Sequence, residues 1–197
     1  RQDYNDISSN LISNNADGIE LYESNNNRIT ENNVTMNDWE GIELNISSNN
    51  LIMGNTVSYN NDEGGIDIDS GANNNLIYHN NLINNSRNAE DDGYNNRWDN
   101  GAKEGGNYWS DHECEGNPSN GSQPYYIPGS ANAIDKYPFQ DPNGWNLPKV
   151  YVSTDKHTYS PYEQQIVMIT VSNPSDERVN ITLGVIFRVY ELSLIHI

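Results

Sequence analysis

Apolar and polar residues alternate in short runs along the first hundred residues of the chain. Three pairs of aliphatic residues each enclose one polar position: Ile19 and Leu21, Ile42 and Leu44, Ile66 and Ile68. Alternation with a period of two residues predicts β-strands, and no segment shows the 3.6-residue period of an amphipathic helix. The pattern therefore predicts an all-β chain built from very short strands.

The strands belong to a repeat. Each repeat begins with an isoleucine, and these anchor residues are spaced 22, 23 and 25 positions apart: Ile7, Ile29, Ile52 and Ile77. A second apolar residue follows five positions later, and a Gly-Ile-acid-aliphatic motif begins at Gly18, Gly41 and Gly65. Self-similarity at a period of 20 to 50 residues is typical of solenoids and related repeat architectures.

Three short strands in a repeat of about 23 residues suit one coil of a parallel β-solenoid. Successive coils would stack with their strands hydrogen-bonded at roughly 4.8 Å, and parallel crossovers are nearly always right-handed. We therefore expect a right-handed parallel β-helix of four coils over residues 1–100. Each coil would contribute a few aliphatic side chains to a thin tubular core.

Asparagine dominates the composition, with 35 residues in the chain and 27 of them among the first hundred. One set falls three residues after the anchor isoleucines, in register from repeat to repeat: Asn10, Asn32, Asn55 and Asn80. Stacked amides can hydrogen-bond along the axis of a solenoid, and asparagine tolerates left-handed turns. We expect these four residues to form a structural ladder.

Net charge argues against nucleic acid as a partner, and the absence of a long apolar run argues against membrane insertion. The chain has 10 basic and 28 acidic residues, which gives a formal net charge of −18 and argues against binding to nucleic acid. No apolar run approaches the roughly 20 residues that span a bilayer, so no membrane insertion is expected. Residues 1–145 carry 23 of the acids and 6 of the bases, and hence nearly all of the net charge.

Two further motifs follow the repeats: WDNGAKEGGNYWSDH at 98–112 and PYYIPGSANAIDKYPF at 124–139. Together with the N-x-I-x-x-N-x-[IV]…G-I-x-[LI] repeat, they resemble NosD-like periplasmic or surface proteins and related carbohydrate-binding and sugar-hydrolase β-helix modules. The resemblance covers residues 5–142 and implies a C-terminal cap, which we place at 101–145. We expect five aromatic residues to close the solenoid there: Trp98, Tyr108, Trp109, Tyr125 and Tyr126.

A second unit is predicted over residues 146–197, after the turn-rich Asp141-Pro142-Asn143-Gly144. Its strands alternate, as in QQIVMITVSN, and it resembles the start of an immunoglobulin-like β-sandwich. Such a sandwich needs about 100 residues, so we expect a partial domain in a fragment of a longer protein. The last five residues, 193–197, are expected not to be native.

Candidate chemistry lies on the outward positions of the Gly-Ile-acid-aliphatic strand. If Ile19 and Leu21 point inward, the acids between the aliphatic residues form a column along the axis. Exposed aromatic rings beside the column could stack on sugars, while acids and amides bond to hydroxyl groups. The candidate carbohydrate-binding residues are Tyr22, Trp39, Glu20, Glu43, Asn45 and Asp67.

Four interpretations of the acidic column remain open. It is a solvated acidic face, or a calcium site formed by Glu20, Glu43, Asp67 and Asp69. Alternatively, Glu43, Asp67 and Asp69 are catalytic carboxylates of a glycoside hydrolase, since neighbouring coils give suitable separations. A lyase would need a base, and Arg97 is expected near the fourth-coil equivalent of the acidic strand.

Copper chemistry receives little support from the sequence. Copper favours clustered His, Met or Cys ligands, whereas the four histidines are scattered at His79, His112, His157 and His196. Cys114 is the only cysteine, which excludes a disulfide framework. We expect no cofactor other than calcium.

The sequence thus predicts a non-catalytic structural or adhesion module that binds a polysaccharide or glycan through one face of the β-helix. The expected location is extracellular, at the cell surface or in the periplasm. Two alternatives stay open, namely a polysaccharide-active enzyme and a calcium-stabilised surface stalk.

Overall fold

A computed structural model of the chain describes residues 2–147, 149–154 and 167–172. The chain forms two compact units, residues 1–147 and residues 148–197. The first unit is a parallel β-solenoid. The described part of the second unit is one antiparallel strand pair. Residues 193–197, which we expected not to be native, lie outside the described residues.

Each of the first four coils contributes three strands. The first coil contains β1 (Asp6–Ser8), β2 (Leu11–Ser13) and β3 (Ile19–Tyr22), and the second contains β4 (Arg28–Thr30), β5 (Asn33–Thr35) and β6 (Ile42–Asn45). The third contains β7 (Leu51–Met53), β8 (Thr56–Ser58) and β9 (Ile66–Ile68), and the fourth contains β10 (Leu76–Tyr78), β11 (Asn81–Ile83) and β12 (Ala89–Asp91).

The remaining elements are short. They are helix α1 (Gly101–Glu104), strands β13 (Tyr108–Trp109), β14 (Tyr125–Tyr126) and β15 (Ile134–Asp135), a 3-10 helix at Gly144–Asn146, and strands β16 (Lys149–Thr154) and β17 (Val167–Ser172). Strands β14 and β15 pair antiparallel, as do β16 and β17. The pair β16–β17 is compatible with the expected sandwich but does not establish it, because two strands do not define a fold.

Three parallel sheets run along the solenoid, and the repeat fixes their register. The first has the order β1-β4-β7-β10, the second β13-β11-β8-β5-β2 and the third β12-β9-β6-β3. The anchor isoleucines pair directly from coil to coil, as Ile29 does with Ile52 and Ile52 with Ile77. The aliphatic residues of all three sheets point into one core, where most of them are completely buried.

The solenoid has five turns, whereas the sequence predicted four coils. Residues 94–109, which we had divided between the last coil and the cap, form an incomplete fifth turn: Arg97 bridges Leu76, and β13 pairs with β11. The pattern hid this turn because Trp98 and Trp109 occupy core positions that earlier coils fill with Ile, Val or Leu, and α1 interrupts the spacing.

Three asparagine ladders run through the turns between the sheets. In each ladder, the backbone N–H and the side-chain Nδ2 of one asparagine donate to Oδ1 of the next member, which lies one coil further on except for Asn85 and Asn88, three residues apart in the same coil. Asn55, for example, donates to Asn80 over 3.0 and 2.9 Å. The ladder that we expected gains Asn107 as its fifth member. The other two are Asn5, Asn27, Asn50, Asn75 and Asn96, and Asn15, Asn37, Asn60, Asn85 and Asn88.

Each ladder ends on an aspartate, because the last asparagine has no further asparagine oxygen to accept its N–H groups. Asn96 donates to Asp91 over 2.9 Å, and Asn88 donates to Asp111 over 2.7 Å. In the ladder that contains Asn55 and Asn107, the backbone N–H of Asn107 donates to Asp135 over 2.7 Å. The three carboxylates are therefore the terminal acceptors of the ladders.

The same carboxylates hold the aromatic cap. Indole N–H groups of Trp98 and Trp109 donate to Asp91 and Asp135, each over 2.8 Å, and the hydroxyl of Tyr125 donates to Asp111. Both tryptophans are almost completely buried, and Tyr125 stacks on Trp109 with ring centroids 3.9 Å apart. Tyr126, which we expected in the plug, is 69% exposed because it lies on the outer position of β14.

Replacing Asn55 by alanine should destabilise the solenoid by about 3–5 kcal/mol. The substitution removes donors to Asn80, Ile29 and Met53, and it leaves the buried N–H groups of Asn32 without an acceptor. Urea unfolding followed by circular dichroism measures the effect.

The matched control is Asn61→Ala, because the Asn61 side chain is exposed and outside the ladders. This control should cost less than about 0.5 kcal/mol. Equal losses for the two variants would contradict a structural role of the ladder.

Candidate functional site

The third sheet carries the acidic column that the sequence predicted, and the column is one residue longer. Glu20 pairs with Glu43 and Glu43 with Asp67, while Asp67 pairs with Glu90 of the fourth coil. Sequence analysis missed Glu90 because β12 lacks the Gly-Ile motif: Ala89 and Asp91 stand where earlier coils have aliphatic residues. Tyr22 pairs with Asn45 on the same outward face.

The turn that leads into this sheet changes length from coil to coil. Two residues separate Asn15 from Gly18, three separate Asn37 from Gly41, and four separate Asn60 from Gly65. The longer turns of the second and third coils carry extra side chains at the edge of the third sheet. Trp39, 53% exposed, lies in the first of these turns.

The carboxylates of Glu40, Glu63 and Asp67 converge at this edge. One oxygen from each lies within 4.8 Å of the other two, and we call these three residues the acidic corner. Glu40 and Asp67 are each 6% exposed, while Glu63 is exposed. The repeat pattern did not identify Glu40 and Glu63, although each lengthened turn carries an acid one or two positions before its Gly-Ile motif.

The candidate calcium ligands are thereby separated. Of the four, only Asp67 belongs to the acidic corner, and Glu20, Glu43 and Asp69 are not among its converging carboxylates. Glu43 Oε1 accepts a hydrogen bond from Asn45 Nδ2 at 3.4 Å, and Glu20 is fully on the exposed side of β3.

Like charges and burial raise the pKa values of these acids. Burial, with smaller contributions from Asp69 and Glu90, raises the pKa of Asp67 to about 7. Burial and the neighbouring Glu20 raise the pKa of Glu43 to about 7. Burial also raises the pKa of Glu40, and the carboxyl group of Glu63 adds to the shift. The site therefore holds protons near neutral pH in the absence of a counter-ion.

The base beside the site is Arg87, and the expectation for Arg97 was wrong. Arg97 pairs with Leu76 in the first sheet, and its guanidinium lies near Asn100. Arg87 precedes β12, forms an ion pair with Glu90, and donates to the carbonyl of Glu63. The sequence misled because Gly93-Tyr94 resembles the start of the glycine motif.

A family model described as "Periplasmic copper-binding protein (NosD)" matches residues 1–114, which is more than half of the chain. The chain belongs to the NosD family. No curated protein and no solved structure gives a significant match to it. Within the described residues, no helix of this NosD-family chain is long and apolar enough to cross a membrane.

Among the described residues, the histidines and the cysteine do not form the clustered ligand set that copper favours. Copper sites favour His, Cys and Met ligands. His79 stacks on Trp145 and its Nε2 lies 2.6 Å from the carbonyl of Glu104, while His112 contacts the carbonyl of Gln123. Burial raises the pKa of the Cys114 thiol to about 11, which disfavours the thiolate that binds metals.

The acidic corner is the only group of three or more close His, Cys, Asp or Glu donors among the described residues, and it contains oxygen ligands alone. Carboxylate oxygen suits hard cations rather than copper. His157 and His196 lie outside the described residues.

The stability of this NosD-family chain should fall as the pH rises from about 5 to about 8 in the presence of a chelator. Because the folded-state pKa values of Asp67 and Glu43 are raised, the folded protein binds more protons than the unfolded chain in this window. Asp67→Asn should weaken the pH dependence, as measured by urea midpoints at each pH.

Asp92→Asn is the control of opposite sign, since hydrogen bonds from Ser130 lower the pKa of Asp92. It should leave the fall in stability at least as steep. A midpoint that increases with pH in the unmodified protein would contradict the assignment.

Proposed function

We propose that this NosD-family chain is a non-catalytic surface or periplasmic module that binds a glycan along the outward face of its third sheet. The observation that carries the proposal is the combination of exposed aromatic rings with carboxylates and an amide on the third sheet and on the turn that leads into it. Tyr22 and Trp39 are each more than half exposed. Tyr22 pairs with Asn45 and Glu20 with Glu43 on adjacent strands, and Trp39 lies in the turn before β6.

The chemistry of this face suits sugars. Aromatic rings stack on the apolar faces of pyranose rings, while carboxylate and amide groups accept and donate hydrogen bonds to hydroxyl groups. The parallel strands fix these groups at intervals of roughly 4.8 Å along the axis. A regular array of this kind favours an extended polymer over a compact small molecule.

The net charge narrows the class of glycan. With 18 more acidic than basic residues and a column of four acids on this face, the surface repels uronates and sulfated sugars. We therefore expect neutral polysaccharides to bind better than acidic ones when no divalent cation is present.

Trp39→Ala should weaken binding to the preferred neutral glycan about tenfold, because a lost stacking contact costs about 1–1.5 kcal/mol. A glycan array identifies the ligand, and titration calorimetry then compares the variants. Tyr94→Ala is the matched control, since Tyr94 is 77% exposed but pairs with Asn73 in the fifth turn, away from this face.

Equal weakening by Trp39→Ala and Tyr94→Ala would argue against the third-sheet face. Absence of binding to every glycan on the array would overturn the proposal.

A polysaccharide-active enzyme is the second candidate, and one observation favours it. Asp67 and Glu43 lie on paired strands and both have pKa values near 7, so one can hold a proton while the other is ionised. Adjacent parallel strands separate such carboxyl groups by roughly 5 Å, as in retaining glycosidases, and Asp69 lies beside them.

An assay for new reducing ends separates the two candidates. The binding module predicts no release from any polysaccharide that binds. Release that is abolished by Asp67→Asn and retained by Asp92→Asn would establish the enzyme instead.

A further inference from the structure

The acidic corner has the dimensions of a single cation site. Calcium binds oxygen ligands at about 2.4 Å, so two ligands of one ion are at most about 4.8 Å apart. The three converging oxygens of Glu40, Glu63 and Asp67 all lie within 4.8 Å of one another. A single ion between them can therefore contact all three.

Asp67 supplies an independent observation that points to a ligand. It is 94% buried, since its exposure is 6%, and no hydrogen-bond donor among the described residues reaches its carboxylate. Asp91 and Asp135, the two ladder-ending carboxylates that are also buried, each accept at least two hydrogen bonds. A buried carboxylate without a donor or cation is costly, so Asp67 lacks the partner that comparable acids of this protein have.

A second carboxylate near Glu40 has a buried oxygen without a hydrogen-bond partner. Oδ1 of Asp17 is buried and accepts no hydrogen bond. Asp17 lies one coil before Glu40, because the next residue, Gly18, donates its N–H to the Glu40 carbonyl. The charge of Asp17 also helps to raise the pKa of Glu40. The region thus concentrates negative charge around Glu40.

Arg87 offsets the charge of the acidic corner only in part, since its charge lowers the pKa of Asp67 but burial and neighbouring acids raise that pKa further. Its guanidinium forms the ion pair with Glu90 and donates to the backbone carbonyl, rather than the carboxylate, of Glu63. Among the described residues no lysine or other arginine forms an ion pair with Glu40, Glu63 or Asp67. Apart from the partial contribution of Arg87 to Asp67, the described residues supply no positive charge that balances the three acids.

We propose that the acidic corner binds one Ca²⁺ ion through carboxylate oxygens of Glu40, Glu63 and Asp67. Water completes the coordination on the side of the exposed Glu63. Glu40 belongs to the second coil, whereas Glu63 and Asp67 belong to the third. The ion therefore links the second and third coils at the turns that lead into the third sheet. These two turns are longer than the corresponding turn of the first coil.

The calcium proposal is independent of glycan binding, because it concerns stability and needs no sugar. Thermal unfolding of the whole chain should show a midpoint about 3–6 °C higher with CaCl2 at ten times its Kd than with a chelator. Titration calorimetry with CaCl2 gives the Kd and should show one ion per chain. MgCl2 at the same concentration should give a smaller shift, since Ca²⁺ accepts irregular carboxylate coordination whereas Mg²⁺ demands near-octahedral geometry and retains its water.

Asp67→Asn tests the site without relying on a loss of folding. It removes a buried like charge, so the chelated variant should melt no lower than the unmodified protein, yet the rise with calcium should disappear. Glu40→Gln should behave in the same way. Glu90→Gln is the matched control, because Glu90 lies next in the acidic column but outside the acidic corner, and it should retain the calcium shift.

Two results would overturn the proposal. One is an unchanged midpoint and no heat of binding with CaCl2 at millimolar concentration, which would mean that protonation alone relieves the acidic corner. The other is an equal calcium shift in the unmodified protein and in Asp67→Asn, which would place the ion elsewhere.

Discussion

The buried side-chain amide of asparagine is the interaction on which this solenoid depends. A coil of about 23 residues bends at three corners between its strands. At each corner, backbone polar groups that face the interior of the solenoid need hydrogen-bond partners other than water. Oδ1 of one asparagine accepts both the backbone N–H and the Nδ2 of the preceding coil, so a single residue continues the hydrogen bonding of the sheets around a corner. The thin aliphatic core suffices because the ladders supply cohesion that larger cores obtain from packing.

The direction of the ladders also determines how the fold ends. The hydrogen bonds from one ladder asparagine to the next run toward the C-terminal end, so the last member of each ladder presents donors there, and three aspartates accept them. Asp91 does so from a position that earlier coils give to Leu or Ile, pointing into the tube beneath Trp98. Burial raises the pKa of Asp135 to about 7, although Trp109, Asn107 and Tyr137 all donate to it. One carboxylate thus ends a ladder and anchors an aromatic ring.

The regular coils could be predicted from the sequence, and the irregular ones could not. The core position of Ile29 and the ladder position of Asn55 could be predicted because the same residue types recur at a nearly constant spacing. The repeat pattern did not predict the fifth turn, because Trp98, Asn107 and Trp109 follow a different spacing around a short helix. In the same way, the strand register correctly predicted that Glu43 and Asp67 are neighbours on adjacent strands. The acidic corner depends instead on Glu40 and Glu63 in turns of unequal length, and residues inserted in one turn have no counterpart in the next repeat. The departures from the repeat are where both the cap and the candidate site lie.

Hydrogen exchange measured by NMR tests the central role of the ladders most directly. The backbone N–H groups of Asn32, Asn55 and Asn80 donate to side-chain oxygens rather than to a neighbouring strand. If the ladders are integral to the fold, these amides should exchange only through global unfolding, as slowly as the amides of the core strands. Exchange as fast as that of exposed turn amides would show that the strands alone hold the coils together, and would contradict the account.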